Sequence, residues 1–281
     1  MLAHIGGSGT WTVDFTSDLE DLGVRFVDRK AVETPFGMSA PIIRLSVDGL
    51  HVFHVPFHGY HSDDRVRDAH SLFWAFREVG VGAIVVDASV GGVNRLLEPE
   101  DIVVPHDAID MRVHRAAWGE GFVQGGALQM AQPFDADLSR VLADAALGVF
   151  PRVFRRGISL CVEGPRWETP AETNLYRSWS VDVVGHTLFP EIELSMAIGA
   201  RFAVLNVVSN YGEGGDPADQ LVGEEEHWVA DRAAGIASRY RSLGPRMARV
   251  VIDAIRRVPD DICVPREAPI FEFSSVVDER E

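Results

Sequence analysis

Apolar positions along this chain fall into short alternating or unbroken runs, separated by a few stretches with helical spacing. The first run, residues 2–5, predicts a short strand that stops at Gly6-Gly7-Ser8-Gly9-Thr10. Ile42, Ile43, Leu45 and Val47 lead to Asp48-Gly49, and a second run covers residues 51–55. Asp-Gly between two such runs predicts a hairpin. Leu72, Phe73 and Phe76 share one face of a helix over residues 69–79, which Gly80 and Gly82 end. Residues 83–86 are apolar without a break, as in a central strand covered on both faces. The next six, Asp87-Ala88-Ser89-Val90-Gly91-Gly92, read as a tight turn from strand to helix. Residues 97–104 lead to another strand, and the glycine-rich residues 118–126 predict a mobile surface loop. Gln132-Pro133-Phe134 precedes a helix over residues 137–147. A long helix over about residues 224–255 carries Val229, Ala233, Ile236 and Tyr240 at burial spacing. From Pro259 on, three prolines and an acidic end predict an arm or a partly disordered tail, residues 259–281, after a domain of residues 1–258.

The densest pattern lies between Ile158 and Gly214. Residues 158–162 form an apolar segment that meets Glu163-Gly164-Pro165, where regular structure stops. Thr169 or Glu168 can cap a helix with Pro170 at its first position. Residues 181–184 run into Gly185-His186-Thr187, Pro190 and Glu191 open a helix over residues 192–198, and residues 202–208 deliver Ser209-Asn210-Tyr211. Three strand ends each release a loop with polar groups. In an α/β sheet a pocket is expected there, at the carboxyl ends of the strands.

Composition narrows the class. The 281 residues are 46% hydrophobic, ordinary for a globular α/β chain with a sizeable core. No apolar run approaches the roughly 20 residues that span a bilayer, and the start carries no basic-then-apolar signal, so the expected location is cytoplasmic. The two cysteines, Cys161 and Cys263, make no disulfide framework and are expected reduced. A net charge of −16 disfavours nucleic acid and anionic membranes as partners. Lys30 is the one lysine; the other basic residues are arginine. No metal site is suggested: the ten histidines include no HExxH, and the pair His58/His61 lacks a third ligand. Nor is there a GxGxxG or a GxxxxGK.

The run EGPRWETPAE, followed by VDVVGHTLFPEIELSMAIG, resembles the signature of the trimeric purine nucleoside phosphorylase and methylthioadenosine phosphorylase family. Gly6-Gly7-Ser8-Gly9, Pro56-Phe57-His58-Gly59 and Ala88-Ser89-Val90-Gly91-Gly92 fit other segments of it, so that the likeness covers about residues 1–255. It implies a single α/β domain, a central mixed β-sheet flanked by helices, assembled as a homotrimer. It also implies cleavage of a purine nucleoside by inorganic phosphate, the co-substrate, with no other cofactor. Phosphate would sit among Ser8, His58, Ser89 and Thr187. Trp167, His186 and Ser89 would face base and sugar. Residues 107–110 resemble a segment near the trimer interface, residues 213–219 a lid, and Glu226, His227 and Trp228 are candidates for the sugar's 5′ end. Ala127 aligns with a histidine that the methylthioadenosine branch places in the neighbouring subunit's pocket.

An enzyme that breaks an N-glycosidic bond must hold the departing purine more strongly as it gains negative charge. Glu168 can accept the ring N–H of a 6-oxopurine, and Asn210 can bond the five-membered-ring side. A carboxylate cannot accept at that position from a 6-aminopurine, whose ring nitrogen is itself an acceptor. This Glu–Asn pair is that of the family's 6-oxopurine branch, whereas Gly164-Pro165-Arg166 is closer to its methylthioadenosine branch. Alone, Glu168 reads as a capping residue and Asn210 as a turn residue; together inside this motif they favour the base. Two positions depart from the family. His186 stands where it has methionine, and Phe57 stands where it has an arginine that binds phosphate. Arg65 and Arg67 are the nearest substitutes for that guanidinium. Phe57 also motivates two alternatives: water as nucleophile in a glycosidase, or a silent nucleoside-binding protein.

Overall fold

A computed structural model describes residues 1–59, 64–113, 119–214 and 228–272. In chain order the elements are β1 (Leu2–Ile5), β2 (Val24–Lys30), β3 (Glu33–Thr34), β4 (Gly37–Met38), β5 (Ile42–Val47), β6 (Leu50–Val55) and α1 (Arg65–Glu78). There follow β7 (Ala83–Gly92), β8 (Ile102–Val103), β9 (Asp107–Asp110), β10 (Gly126–Leu128), α2 (Ala136–Leu147), β11 (Val153–Phe154) and β12 (Ile158–Cys161). The last are α3 (Pro170–Ser178), β13 (Val183–Gly185), α4 (Leu188–Ala197), β14 (Arg201–Tyr211), α5 (Trp228–Arg257) and β15 (Ile270–Glu272).

Eleven strands make one mixed sheet in the order β11-β8-β14-β7-β1-β6-β5-β2, with β13, β12 and β9 branching from the carboxyl end of β7. β1 runs parallel to β6 and β7, and β7 parallel to β14. These central strands are mostly apolar because helices cover both faces, with His4, His54, Asp87 and Asn206 among the buried polar exceptions. Side chains alternate between the two sides. Ala83, Val85, Ala203, Leu205 and Val207 join Leu138 and Leu142 of α2 and Leu243, Met247 and Val251 of α5 in one core. Ile84, Val86, Phe202 and Val204 join Leu72, Phe73 and Phe76 of α1 and Ile192, Leu194 and Met196 of α4 in the other. The α/β class, a large mixed sheet flanked by helices, is therefore as expected.

Several elements differ from the sequence expectation. β7 does not turn at Asp87; it continues to Gly92, paired with β14 from Leu205 to Tyr211 and, at Gly91 and Gly92, antiparallel to β13. Both partners are more than 90 residues away in sequence, so a local pattern could not announce the pairing. Helix α1 starts at Arg65, four residues early, because Asp64 caps it by accepting from the Arg67 backbone N–H. The glycine-rich loop is pinned rather than mobile at Phe122, which is buried among Phe36, His70 and Trp74. Beyond α5 the chain packs back as an arm. The Met1 ammonium donates to Cys263 O, Arg201 donates to Ile262 O and Val264 O, and β15 pairs with β10. Among the described residues no helix is long and apolar enough to cross a membrane.

Of the two capping candidates for α3, the structure uses Thr169. Its hydroxyl accepts from the Glu172 N–H at 3.2 Å, and Glu172 Oε2 accepts from the Thr169 N–H at 2.7 Å. Arg166 forks onto the same carboxylate at 2.7 and 2.8 Å, and with the Thr169 bonds holds the Glu172 carboxyl down to about 2. Glu168, released from capping, is free to turn elsewhere. Thr169→Ala should cost about 1 kcal/mol, seen in thermal denaturation as a melting temperature lower by about 2–4 °C.

Candidate active site

A cleft of about 240 Å³ opens over the carboxyl ends of β1, β7, β13 and β14. Ser8, His58, Ser89, Trp167, Glu168, His186, Thr187 and Asn210, the residues expected to hold phosphate, base and sugar, line it. Arg65, Glu213 and Tyr240 line it as well.

At one end the glycine turn after β1 is bound to a carboxylate beneath it. Asp87, fully buried on β7, accepts through Oδ1 from the Gly7 N–H at 3.1 Å and from the Thr10 hydroxyl at 2.9 Å. His4 Nε2 sits 3.0 Å from the same oxygen, and His4 Nδ1 lies 3.0 Å from His54 Nδ1. Burial, then the charges of His4 and Arg29, hold His54 well below the ordinary histidine range, so it is neutral. The turn approaches its support so closely that glycine is required: a Cβ at Gly7 would stand 1.9 Å from Asp87 O. Ser8, carried on this turn, hydrogen-bonds Ser89 Oγ, which also lies 3.0 Å from the Tyr240 hydroxyl of α5. Across the cleft His58 Nε2 lies 2.8 Å from Glu191 Oε1. Hydroxyls of Ser8, Ser89, Thr187 and Tyr240 and the Arg65 guanidinium thus line one small volume, donors of the kind an oxyanion needs.

The other end suits a planar heterocycle. Glu168 is 7% exposed, and Trp167 beside it is half exposed along one wall. Burial, reinforced by Glu213, pushes the Glu168 carboxyl above the usual carboxylate range, with His186 opposing. A register shift between Val208 and Asn210 bulges β14 against β7 at this point. Asn210 is then held by Ser209 Oγ, which donates to its Oδ1 at 2.7 Å, while its Nδ2 donates to Tyr211 O at 2.8 Å. Arg239 of α5 secures the bulge by donating to Ser209 O at 2.9 Å. His186 Nδ1 is buried without a hydrogen-bond partner among the described residues.

Residues 24–241 match the sequence model described as the phosphorylase superfamily. The chain belongs to this superfamily. Among its relatives, one called a probable S-methyl-5′-thioinosine phosphorylase, from Methanothermobacter thermautotrophicus, is 29% identical over 80% of this chain and 76% of its own. An S-methyl-5′-thioadenosine phosphorylase from Thermosynechococcus vestitus is 33% identical over 74% of this chain and 71% of its own. A probable 6-oxopurine nucleoside phosphorylase from Moorella thermoacetica is 28% identical over 76% of this chain and 80% of its own. In fold the chain is similar to the methylthioadenosine phosphorylase from Schistosoma mansoni, with a TM-score of 0.72, 21% identity and coverage of 91% and 90%.

As a superfamily member the chain departs at Phe57, and the structure shows where that side chain goes. Phe57 is 5% exposed, packed in the α1/α4 core, and faces a neighbouring cavity of about 450 Å³ instead of the cleft. Arg65, on the first turn of α1, lines both spaces and makes no hydrogen bond or ion pair among the described residues. Arg67 is committed elsewhere, donating to Phe36 O at 2.6 Å. Ala127 lies in β10, paired with Phe271 and away from the cleft. Residues 215–227, with most of the expected lid and Glu226 and His227, lie outside the described residues, as does the side chain of Trp228. Cys161 is no nucleophile, since burial pushes its thiol up to about 12.

Sequence reasoning missed Asp87, Glu191 and Tyr240 as parts of the site. A lone acid in an otherwise apolar strand was the available signal for Asp87. Glu191 read only as a helix opener, and Tyr240 only as a buried helix position. Asp87→Ala would strip three buried groups of a shared acceptor, each at about 1–3 kcal/mol. Chemical denaturation should register a loss of about 3 kcal/mol or more, and Asp87→Asn, which keeps an acceptor oxygen, should recover most of it.

Proposed function

We propose that this phosphorylase cleaves the N-glycosidic bond of a 6-oxopurine nucleoside or its 5′-modified form with inorganic phosphate, releasing the base and a pentose 1-phosphate. The observation that carries this is the pairing, in one cleft, of a donor-lined end with a buried carboxylate, Glu168, and the Asn210 amide. Phosphate is held by Ser8, Ser89, Thr187, His58 and Arg65. Glu168 accepts the purine's ring N–H, Asn210 donates to its five-membered-ring side, and Trp167 and His186 wall base and sugar. As the C1′–N9 bond lengthens, its electron pair moves into the purine, where these contacts strengthen. A phosphate oxygen then forms the new bond to the cationic C1′. No cofactor beyond phosphate takes part.

A relative named for S-methyl-5′-thioinosine, a 6-oxopurine on a 5′-thio sugar, supports one substrate class that suits both the Glu–Asn pair and the methylthioadenosine-like frame. Arg65 at the cleft removes the motive for water as nucleophile or for binding without turnover, since a guanidinium is present after all. We extend the proposal to a cytoplasmic homotrimer. Val113, 82% exposed just beyond β9, lies beside the segment whose likeness puts it at the interface.

Incubating the protein with inosine, with and without phosphate, tests the reaction. Ribose 1-phosphate is expected; free ribose, or no product from inosine or 5′-methylthioinosine, would refute it. A charge-assisted hydrogen bond contributes about 1.5–3 kcal/mol. Arg65→Ala should therefore raise the phosphate KM roughly 10- to 150-fold at about 1.4 kcal/mol per decade, with the inosine KM little changed. The raised Glu168 carboxyl sets a pH dependence. Below its titration the protonated group donates, which suits adenine; above it the carboxylate accepts, which suits hypoxanthine. The inosine-to-adenosine ratio of kcat/KM should rise with pH, above the range of an exposed glutamate, and Glu168→Gln should flatten it.

A further inference from the structure

His58 is held from behind by a group that the reaction itself does not require. Its Nε2 is 2.8 Å from Glu191 Oε1, and both side chains are 2% exposed. An ionised carboxylate only accepts, so the proton between them belongs to Nε2. In the neutral ring Nδ1 then carries a lone pair and can only accept. Nδ1 faces the glycine turn: a Cβ on Gly7 would stand 2.7 Å from it. Among the described residues nothing hydrogen-bonds it. His58 lines the cleft together with Ser8, Ser89, Thr187 and Arg65, all of which carry hydrogen-bond donors.

We propose that Glu191 is a positioning residue that fixes His58 as a hydrogen-bond acceptor inside the anion site, and that this acceptor selects hydroxyl-bearing phosphate over sulfate. The proposal rests on phosphate being the co-substrate. Hydrogen phosphate keeps one P–OH in neutral or mildly alkaline water, and that hydroxyl can donate to Nδ1. Sulfate carries no proton there and would set an oxygen lone pair against the nitrogen's. Two anions of equal size and charge are then told apart by a single hydrogen, as expected when a buried polar group is left unpaired by the wrong ligand.

Equilibrium binding of sodium phosphate and of sodium sulfate, measured by calorimetry in mildly alkaline buffer, tests this in the wild type and in Glu191→Gln. The wild type should prefer phosphate by about tenfold or more. In the variant the amide N–H can donate to Nε2, which moves the ring proton to Nδ1, so the preference should shrink by about tenfold. Equal affinities in the wild type, or a variant that loses both anions by the same factor, would assign Glu191 a merely structural role and overturn the idea. Ring nitrogen NMR of 15N-histidine-labelled wild type needs no variant: protonation at Nε2 supports the proposal, and at Nδ1 sinks it. Wild-type protein that binds neither anion and releases base without phosphate would instead refute phosphorolysis, and this selectivity with it.

Discussion

Asp87 is the constraint on which the anion end of the cleft depends. A fully buried carboxylate is expensive unless its oxygens are bonded. Here Oδ1 serves His4, the Gly7 N–H and the Thr10 hydroxyl together, while Oδ2 has no partner among the described residues. Because β7 lies between β1 and β14, that oxygen sits directly under the turn leaving β1. The turn cannot lift without unpairing several buried groups at once, so Ser8 is held where it meets Ser89, which Tyr240 bonds in turn. The same closeness excludes a side chain at Gly7.

An acidic protein with an anion for co-substrate faces an electrostatic conflict: a net charge of −16 repels phosphate at long range. The cleft meets it locally, with neutral hydroxyls and one guanidinium in a partly desolvated space. Those donors gain strength from the low dielectric, whereas the surface charge is screened within about 8 Å at physiological salt. The carboxylates nearest the anion end, Asp87 and Glu191, are each turned toward a histidine.

The base end depends on division of labour between neighbours. Thr169 takes the capping role, Glu172 takes the Arg166 fork, and Glu168, just before them, is left to face the cleft with its carboxyl raised by burial. Opposite it, one extra residue in β14 re-aims Asn210, and Arg239 from the last long helix holds the bulge. The proposed base contacts therefore draw on a local capping motif on one side and on a sheet irregularity on the other.

What the sequence determined by itself is what short-range physics encodes. The run 2–5, the Asp-Gly hairpin, the Pro170 helix start and the long terminal helix all appear as strands, turn or helices, because periodicity and turn chemistry act within a few residues. The motif residues could be singled out together because their long shared pattern matches a family. Only the tertiary structure could decide pairings across the chain. Asp87 to Gly92 became strand because β14 and β13 arrive beside it, and Phe122 became core because Phe36, His70 and Trp74 make room for it. Arg65 rather than Arg67 faces the cleft because α1 begins at Asp64 and the Phe36 carbonyl captures Arg67. His58 finds Glu191 across 133 residues, and Ser89 finds Tyr240 across 151. Sheet order sets those meetings, and no local pattern carries it, because a side chain's burial is written in its own neighbourhood but the identity of its partner is not.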